Sequence, residues 1–280
     1  MKTRRIAAAA ISAAVVLGLA ACGGSDDGDG NGGGDSGGDS VKIGIKFDQP
    51  GLGLKEGSSY SGFDVDVATY VAEKLGYDAD DIEWVQSPSA QRETMIETGQ
   101  VDFIVATYSI TDTRKEKVDF AGPYFIAGQD LLVRADDSSI TSVDDLSGKK
   151  LCSVTGSTSA QNVKDKVPGV NLQEFKTYSE CLPALVGNAI DAVTTDDTIL
   201  AGYASQAAYK GKLKVVGQPF SVENYGIGLK KGDTELCTKI TDAITAMIED
   251  GSWDKFVAAN FGESGFQPGE GNPPTPAACS

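Results

Sequence analysis

Three polar segments of the sequence carry side chains that could hold a small molecule with charges of both signs. Residues 109–114 read SITDTR and end in Arg114, residues 155–159 read TGSTS, and residues 194–197 read TTDD and contain Asp196. A guanidinium group grips a carboxylate through two hydrogen bonds, and a carboxylate accepts charge-assisted hydrogen bonds from an ammonium group. Hydroxyls and helix N-terminal N–H groups satisfy the remaining lone pairs of an anion. These residue types are the ones that a zwitterionic amino acid requires.

Each segment taken alone also has a purely structural interpretation. Arg114 could pair with Asp112 or Glu116, which lie on the same short segment. The Gly-Ser pair of the second segment could cap a helix, and Asp196 or Asp197 of the third could cap the next one. The residue types alone leave these alternatives open.

The composition excludes several other classes of function. The 280 residues contain 24 Lys and Arg against 40 Asp and Glu, a formal net charge of -16, so the surface repels nucleic acid. The sequence has no histidine, which excludes Ser-His-Asp and Cys-His catalysis and histidine-ligated metals. We therefore predict no histidine-dependent catalysis, no histidine-ligated metal and no nucleic-acid partner. We also identify no catalytic residue, metal site or cofactor motif, and we expect a protein that is not an enzyme. An anionic ligand must be held by a few local basic groups.

The N-terminal segment has the features of a secretory signal. Basic residues occur before position 6, residues 6–21 are apolar and small, and Cys22 follows directly. This junction resembles the bacterial lipobox, in which the cysteine thiol receives a lipid and becomes the new N-terminus. We predict a signal peptide over residues 1–21, lipidation at Cys22 and a flexible Gly/Ser/Asp linker within residues 22–40. The protein would then be held by Cys22 alone on the extracytoplasmic face of the cell membrane; the alternative is a secreted protein with an incidental cysteine.

Four cysteines remain once Cys22 carries a lipid. An even number in an oxidising compartment favours two disulfide bonds, and no CxxC spacing indicates a metal or redox motif. We pair Cys152 with Cys181 and Cys237 with Cys279. Free buried thiols are the alternative.

Strand and helix patterns alternate along the rest of the chain, which predicts a largely parallel sheet with helices on both faces. The predicted strands are residues 41–45, 82–85, 101–106, 150–154, 192–194, 214–217 and 225–229, and the predicted helices are residues 64–75, 90–97, 160–167, 181–186, 198–209, 239–250 and 253–261. Residues 95–107 and 184–196 share one order: helix, Gly-containing turn, Asp, apolar strand and polar residues. Ligands bind beyond the carboxyl ends of such strands, so this echo favours two similar lobes that clamp a ligand, although chance similarity would also explain it.

Several motifs together resemble a known family. They are GFDVDV at residues 62–67, Ser-Ile-Thr-x-x-Arg at 109–114, VDFAGPY at 118–124, GST at 156–158 and DAVTTD at 191–196. Over residues 41–262 the chain resembles the polar amino-acid-binding proteins of ABC importers, bacterial extracellular solute-binding protein family 3. A finer resemblance, to actinobacterial glutamate-binding lipoproteins, rests on residues 46–54, 87–94, 106–110, 151–158 and 225–231, and on Cys152 and Cys181.

The resemblance implies an α/β fold of the periplasmic-binding-protein type II, with two α/β lobes joined by a two-segment hinge. Lobe 1 would comprise residues 41–128 and 220–265, and lobe 2 residues 129–219. The hinge would lie near residues 124–130 and 219–225, and we expect residues 266–280 to be disordered. A monomer of this kind would deliver its ligand to the permease subunits of an ABC importer.

The resemblance also implies roles for individual residues. Arg114 would hold the α-carboxylate of the ligand, and Asp196 would hold its α-ammonium group. The remaining candidates are Ser109 and the backbone near Thr107 beside Arg114, Ser157 and Thr158 as donors from lobe 2, and Arg92, Ser89 and Lys46 for a side-chain carboxylate. Surface solvation is the alternative for Lys46, and Asp64 and Asp66 are expected to support the fold rather than the ligand.

One departure from the family bears on the ligand. Amide binders of the family often carry Lys or His where this sequence has Val154 and Thr195. The preference for glutamate therefore rests mostly on Arg92. The alternatives are a binder of aspartate, glutamine or asparagine, or a periplasmic dehydratase on the same fold.

Overall fold

A computed structural model describes residues 40–280. The predicted signal peptide, Cys22 and the rest of the predicted linker before Ser40 lie outside the described residues. No helix within the described range is both long and apolar enough to span a bilayer.

The described strands and helices are named in chain order. The strands are β1 (Val41–Ile45), β2 (Asp48–Gln49), β3 (Gly53–Glu56), β4 (Ser59–Ser61), β5 (Ile82–Gln86), β6 (Phe103–Ile104), β7 (Val118–Ala127), β8 (Gln129–Arg134), β9 (Lys150–Val154), β10 (Asn171–Phe175), β11 (Ala192–Asp196), β12 (Leu213–Val215) and β13 (Glu223–Lys230). The α-helices are α1 (Phe63–Leu75), α2 (Arg92–Glu97), α3 (Asp112–Lys115), α4 (Thr158–Lys166), α5 (Cys181–Val186), α6 (Asp197–Ser205), α7 (Thr234–Glu249) and α8 (Ser252–Phe261). Short 3-10 turns at Ala79–Asp81, Ser89–Gln91, Val143–Leu146 and Gly262–Ser264 complete the set.

Two five-stranded sheets form the centres of two lobes. The lobe 1 sheet has the order β5-β1-β6-β13-β7, and the lobe 2 sheet has the order β10-β9-β11-β8-β12. Both sheets are mixed rather than largely parallel as predicted: β13 runs antiparallel to β6 and β7, and β8 runs antiparallel to β11 and β12. The reason is that the chain crosses between the lobes twice. The strands at these crossings run in the direction opposite to the strands of the βα units in the same sheet.

Helix α1 shows how the sequence fixes a local boundary. Gly62 precedes the helix with φ 121°, and a Cβ there would lie 2.1 Å from the carbonyl oxygen of Leu52, so only glycine fits. Gly76 ends the helix in the left-handed conformation, with φ 98°. The face between them is buried and apolar, which holds α1 against the lobe 1 sheet.

The internal echo of the sequence corresponds to one repeated structural unit. Asp102 accepts a hydrogen bond from the Lys42 N–H at 2.7 Å, and Asp191 accepts one from the Lys150 N–H at 2.8 Å. Each aspartate also donates its backbone N–H to the backbone carbonyl of the same lysine, at 2.8 and 2.7 Å. In each lobe, this Asp therefore links the start of the strand that follows it to the start of the neighbouring strand.

Both disulfide bonds join the predicted pairs. Cys152–Cys181 links β9 to α5 in lobe 2, and Cys237–Cys279 links α7 to the C-terminal segment. The alternative of free buried thiols is thereby excluded in this structure.

The C-terminal segment, expected to be disordered, is packed on lobe 1. Ala277 donates its N–H to the Gly122 carbonyl at 2.9 Å, and the Asn272 side chain exchanges two hydrogen bonds with the Ile126 backbone, at 2.8 and 2.9 Å. Strand β7 is a sheet edge, and its free backbone groups offer a partner to an extended Pro- and Gly-rich chain that cannot pair with itself. The disorder prediction for residues 266–280 was therefore wrong.

Removing the lobe 2 disulfide is expected to destabilise the protein measurably. The Cys152→Ala/Cys181→Ala variant should lose about 3–4 kcal/mol of unfolding free energy, because the bond closes a loop with a sequence separation of 29. Urea unfolding followed by circular dichroism under non-reducing conditions measures the change. An unchanged midpoint with an unchanged slope would show that the bond does not constrain the unfolded chain.

Candidate ligand-binding site

Arg114 is buried between the lobes, with 8% exposure. Its Nη1 donates to the Ser109 carbonyl at 2.7 Å, its Nη2 donates across to the Gly156 carbonyl of lobe 2 at 3.2 Å, and its Nε lies 3.3 Å from Glu93. Among the described residues neither Asp112, which lies 3.6 Å from Lys115, nor Glu116 pairs with Arg114, and Glu93 is its carboxylate partner instead. The guanidinium therefore faces lobe 2 from lobe 1.

Asp196 is the corresponding buried charge of lobe 2, at 3% exposure. It accepts hydrogen bonds from Tyr225 Oη at 2.6 Å and from Ser159 Oγ at 3.3 Å. Burial, followed by the nearby Glu223 carboxylate, raises the pKa of Asp196 to about 8. Asp196 makes no side-chain capping bond to α6, whereas Asp197 accepts the N–H of Thr198 at 2.7 Å. A cationic group beside Asp196 would favour its ionised form.

Ser109, Tyr225 and Thr158 connect the surroundings of Arg114 with those of Asp196. The backbone of Ser109 forms a β-bridge with Tyr225, whose hydroxyl reaches Asp196. Across the cleft, the hydroxyls of Ser109 and Thr158 lie 3.3 Å apart. Arg114 of lobe 1 and Asp196 of lobe 2 thus each make a hydrogen bond to the other lobe.

Three further predicted residues form a second polar group beside Arg114. Lys46 is 5% exposed and donates from Nζ to Ser89 Oγ at 2.8 Å, so the surface-solvation alternative for Lys46 was wrong. Arg92 is 2% exposed and donates from Nη1 to the Ala106 carbonyl at 2.9 Å, while its buried Nε has no partner among residues 40–280. Burial lowers the pKa of Lys46 well below its usual value and that of Arg92 to about 10. A further anion beside these groups would favour their ionised forms.

Tyr108 holds the two guanidinium groups together. Its ring centroid lies 4.0 Å from Cζ of Arg92 and 4.9 Å from Cζ of Arg114, within the range of cation–π attraction. The electron-rich ring offsets part of the repulsion between two buried like charges. The sequence interpretation missed Tyr108, although its place between Thr107 and Ser109 was a usable signal.

The hydroxyl of Ser157 and the N–H of Thr107 are already used within the protein. Ser157 caps α4 by accepting the Ala160 N–H at 3.0 Å. This is the helix-capping role that was the alternative to ligand binding for the Gly-Ser pair. The Thr107 N–H donates to Asp64 at 2.9 Å, so it is not a free donor for a ligand. Glu93, Tyr225 and Ser159 were also missed as site residues, because only the fold brings them to Arg114 and Asp196.

Asp64 is expected to make stability depend on pH. Burial raises its pKa from 3.8 to about 6, despite hydrogen bonds from Tyr124 and Thr107 and the charges of Arg92 and Lys46. A raised carboxyl pKa means that the folded state binds the proton more tightly, so this contribution is full below pH 4 and lost as the pH rises through 6.

The size of this contribution is on the order of 3 kcal/mol. Urea unfolding between pH 4 and 7, compared with Asp64→Asn, measures it. The variant should have a shallower decline of unfolding free energy with rising pH, and identical slopes for the two proteins would contradict the assignment.

A model of the bacterial extracellular solute-binding proteins, family 3, matches residues 41–263. The chain belongs to this family. As a family 3 protein it is extracytoplasmic, and its solved neighbours bear out the predicted type II fold.

Two sequence relatives of this family 3 protein are named for glutamate. The glutamate-binding protein GluB of Corynebacterium efficiens is 51% identical over 95% of this chain and 94% of its own length. GluB of Corynebacterium glutamicum is 50% identical over 91% and 89%. A more distant relative, the glutamine-binding protein GlnH of a Bacillus subtilis ABC transporter, is 40% identical over 78% and 79%.

Two solved structures show the same architecture. An ancestral arginine-binding protein bound to glutamine superposes with a TM-score of 0.74 at 36% identity, covering 80% of this chain and 98% of that one. An ancestral amino acid-binding protein, a precursor of cyclohexadienyl dehydratase, has a TM-score of 0.72 at 30% identity, with 80% and 95% covered.

Proposed function

We propose that this family 3 protein captures glutamate between its lobes and delivers it to the permease of an ABC importer. One observation carries the proposal: Lys46, Arg92 and Arg114 are buried together in a strongly acidic protein, opposite Asp196. Glutamate has two carboxylates and one ammonium group, which complement this set of charges. A neutral side chain would bring no charge to offset the buried Arg92 guanidinium, whose Nε has no partner among the described residues, and would therefore bind less favourably.

The contacts support one assignment of the ligand groups. The α-carboxylate would lie against Arg114 and the hydroxyls of Ser109 and Thr158, and the ammonium group against Asp196. The side-chain carboxylate would lie against the group formed by Arg92, Lys46 and Ser89. The Thr107 N–H is left out of this set because it donates to Asp64. The N–H and the hydroxyl of Ser157 both donate to the Val154 carbonyl, so Ser157 would shape the loop that presents Thr158 rather than bind the ligand itself.

Sequence similarity supports glutamate over the alternatives. The relatives at 51% and 50% identity are named for glutamate, whereas the relative at 40% is named for glutamine. Val154 and Thr195, where amide binders often have Lys or His, are consistent with that difference.

Hinge closure would couple binding to transport. We infer that lobe 1 comprises residues 41–128 and 220–265 and lobe 2 residues 129–219. The cross-lobe contacts of Arg114 with Gly156 and of Ser109 with Thr158 support a closed arrangement. A ligand that contacts both lobes only when they are closed shifts the population toward that state, which the permease would read.

We also infer that the protein is a monomer, held to the membrane through a lipid on Cys22, and that it releases its ligand unchanged. A same-fold dehydratase is the second candidate, favoured by the similarity to a dehydratase precursor. Asp196 is the acid in the cleft that such an enzyme would use.

Calorimetric titration with glutamate, aspartate, glutamine and asparagine tests the proposal. We expect glutamate to bind most tightly, with one site per chain, and to be recovered intact by mass spectrometry after prolonged incubation. Tighter binding of an amide than of glutamate would refute the glutamate assignment. Turnover of a cyclic acid would establish the dehydratase instead.

A further inference from the structure

Glu93 is an acidic residue beside the two arginines of the proposed glutamate site. Its Oε1 lies 3.3 Å from Nε of Arg114, and the side chains of Arg114 and Glu93 are 9% and 19% exposed. Glu93 follows Arg92 directly in the first turn of α2. Burial and the Arg114 charge lower the pKa of Arg92, and the Glu93 carboxylate acts in the opposite direction. A carboxylate in this place repels an anionic ligand, so its presence needs an explanation of its own.

The contacts of Arg114 determine which part of its guanidinium a ligand can reach. Nη1 donates to the Ser109 carbonyl at 2.7 Å, and Nη2 donates to the Gly156 carbonyl at 3.2 Å. Each of these nitrogens carries a second N–H that can still donate. Glu93 occupies the remaining side of the group, at Nε. A ligand carboxylate is therefore left with the end of the guanidinium formed by Nη1 and Nη2.

Glu93 also offsets the repulsion between the two arginines. Cζ of Arg92 and Cζ of Arg114 lie 4.0 and 4.9 Å from the centroid of the same Tyr108 ring. Both side chains are buried, and like charges repel more strongly there than in water. Without the Glu93 carboxylate, we expect this repulsion to move Arg114, the less buried of the two, away from Arg92.

We propose that Glu93 is a positioning residue, which holds Arg114 beside Arg92 and directs the α-carboxylate of the ligand to the Nη1–Nη2 end of Arg114. The proposal rests on the glutamate-binding function proposed for the cleft. Glu93 acts through Arg114, and the α-carboxylate is common to all amino acids. Loss of Glu93 therefore weakens the binding of glutamate and glutamine by the same factor, whereas loss of a residue that recognises the ligand side chain changes the ratio of the two affinities.

Calorimetric titration of two Glu93 variants tests this pattern. Glu93→Ala should bind glutamate and glutamine about tenfold more weakly, with an unchanged affinity ratio. Glu93→Gln keeps the shape and an acceptor oxygen but loses the charge, so its affinities should be intermediate. It also keeps the proposal testable if Glu93→Ala does not fold. The control is Glu97→Gln, which removes an exposed carboxylate from the same helix and should bind both amino acids normally.

The Arg114 Nε–H group gives a readout that a general loss of stability does not move. In nitrogen-15 NMR spectra of the unaltered protein, we expect a resolved signal for this group, assigned by its absence from Arg114→Lys. The signal should shift toward the position of a free arginine in Glu93→Ala and stay in place in Glu97→Gln.

A double-mutant cycle tests whether Glu93 acts through the guanidinium. Lysine has no equivalent of Nε, so in the Arg114→Lys background the Glu93→Ala change should weaken glutamate binding by less than about threefold. Additive losses would mean that Glu93 acts elsewhere and would overturn the proposal.

Tighter glutamate binding by Glu93→Ala, an altered ratio of glutamate to glutamine affinity, or an unmoved Arg114 signal would also overturn it. The function proposed for the cleft is judged separately, by glutamate titration of the unaltered protein. If that titration showed no binding, the NMR signal would still test the contact between Glu93 and Arg114. Failure of one proposal is therefore distinguishable from failure of the other.

Discussion

The Arg114→Ala variant is expected to lose binding of every amino acid, by about 100-fold or more in affinity for glutamate. The α-carboxylate is common to all amino acids, and in the proposed site it would then lie buried without its cation. Truncating one partner of a buried charge pair costs about 2–5 kcal/mol, which corresponds to this loss. Calorimetric titration measures the affinity, and circular dichroism checks that the variant remains folded.

Two matched variants sharpen the interpretation of Arg114. Arg114→Lys keeps the charge but loses the paired donors of the guanidinium, so it should bind with intermediate affinity. Lys212→Ala removes an exposed positive charge from lobe 2 and should bind normally. Normal glutamate binding by Arg114→Ala would overturn the assignment of the whole site.

The Arg92→Ala variant is expected to lose the preference for glutamate while it still binds neutral amino acids. Arg92 Nε has no partner among the described residues, so this guanidinium keeps donor capacity for a ligand, whereas Arg114 already contacts Glu93. We expect glutamate affinity to fall about 100-fold and glutamine affinity to change far less. Parallel titrations with the two amino acids give the ratio directly.

A double-mutant cycle separates Arg92 from Lys46. If both cations contact the same side-chain carboxylate, Lys46→Met and Arg92→Ala will show a non-additive loss of glutamate affinity. Additive losses would mean that Lys46 acts elsewhere. An unchanged ratio of glutamate to glutamine affinity in Arg92→Ala would contradict the role given to this arginine.

Helices and strands with a strong local hydrophobic pattern were predicted closely. Elements whose place depends on pairing with residues distant in sequence were not. Helix α1 was predicted over residues 64–75 and is observed at Phe63–Leu75, because its apolar face and closing glycine are local signals. Strands β7 and β8 were missed: residues 124–130 were interpreted as a hinge crossing, although the strands continue to either side of Gly128. The packed C-terminal segment was missed because its partner, the edge of β7, is distant in sequence.

The same distinction between local and long-range signals applies to the candidate site. Asp196 was predicted at the end of a strand and is the last residue of β11, whereas Arg114 lies in the short helix α3. The roles of both residues toward a ligand stay predictions. The contacts of Arg114 with Glu93 and of Asp196 with Tyr225 are long-range or cross between elements, so no local pattern reveals them. The burial of Lys46 likewise depends on closure of the fold around it.

Both chain ends of the described structure belong to the same lobe. Strand β1 starts in lobe 1, and the Ser280 carbonyl accepts the Phe120 N–H of β7 at 2.9 Å. If the lobes close as proposed, fluorescent reporters attached near Val41 and Ser280 would both move with lobe 1 and would report little of the closure. An optical glutamate sensor built from this scaffold would need one label inserted into a surface loop of residues 129–219.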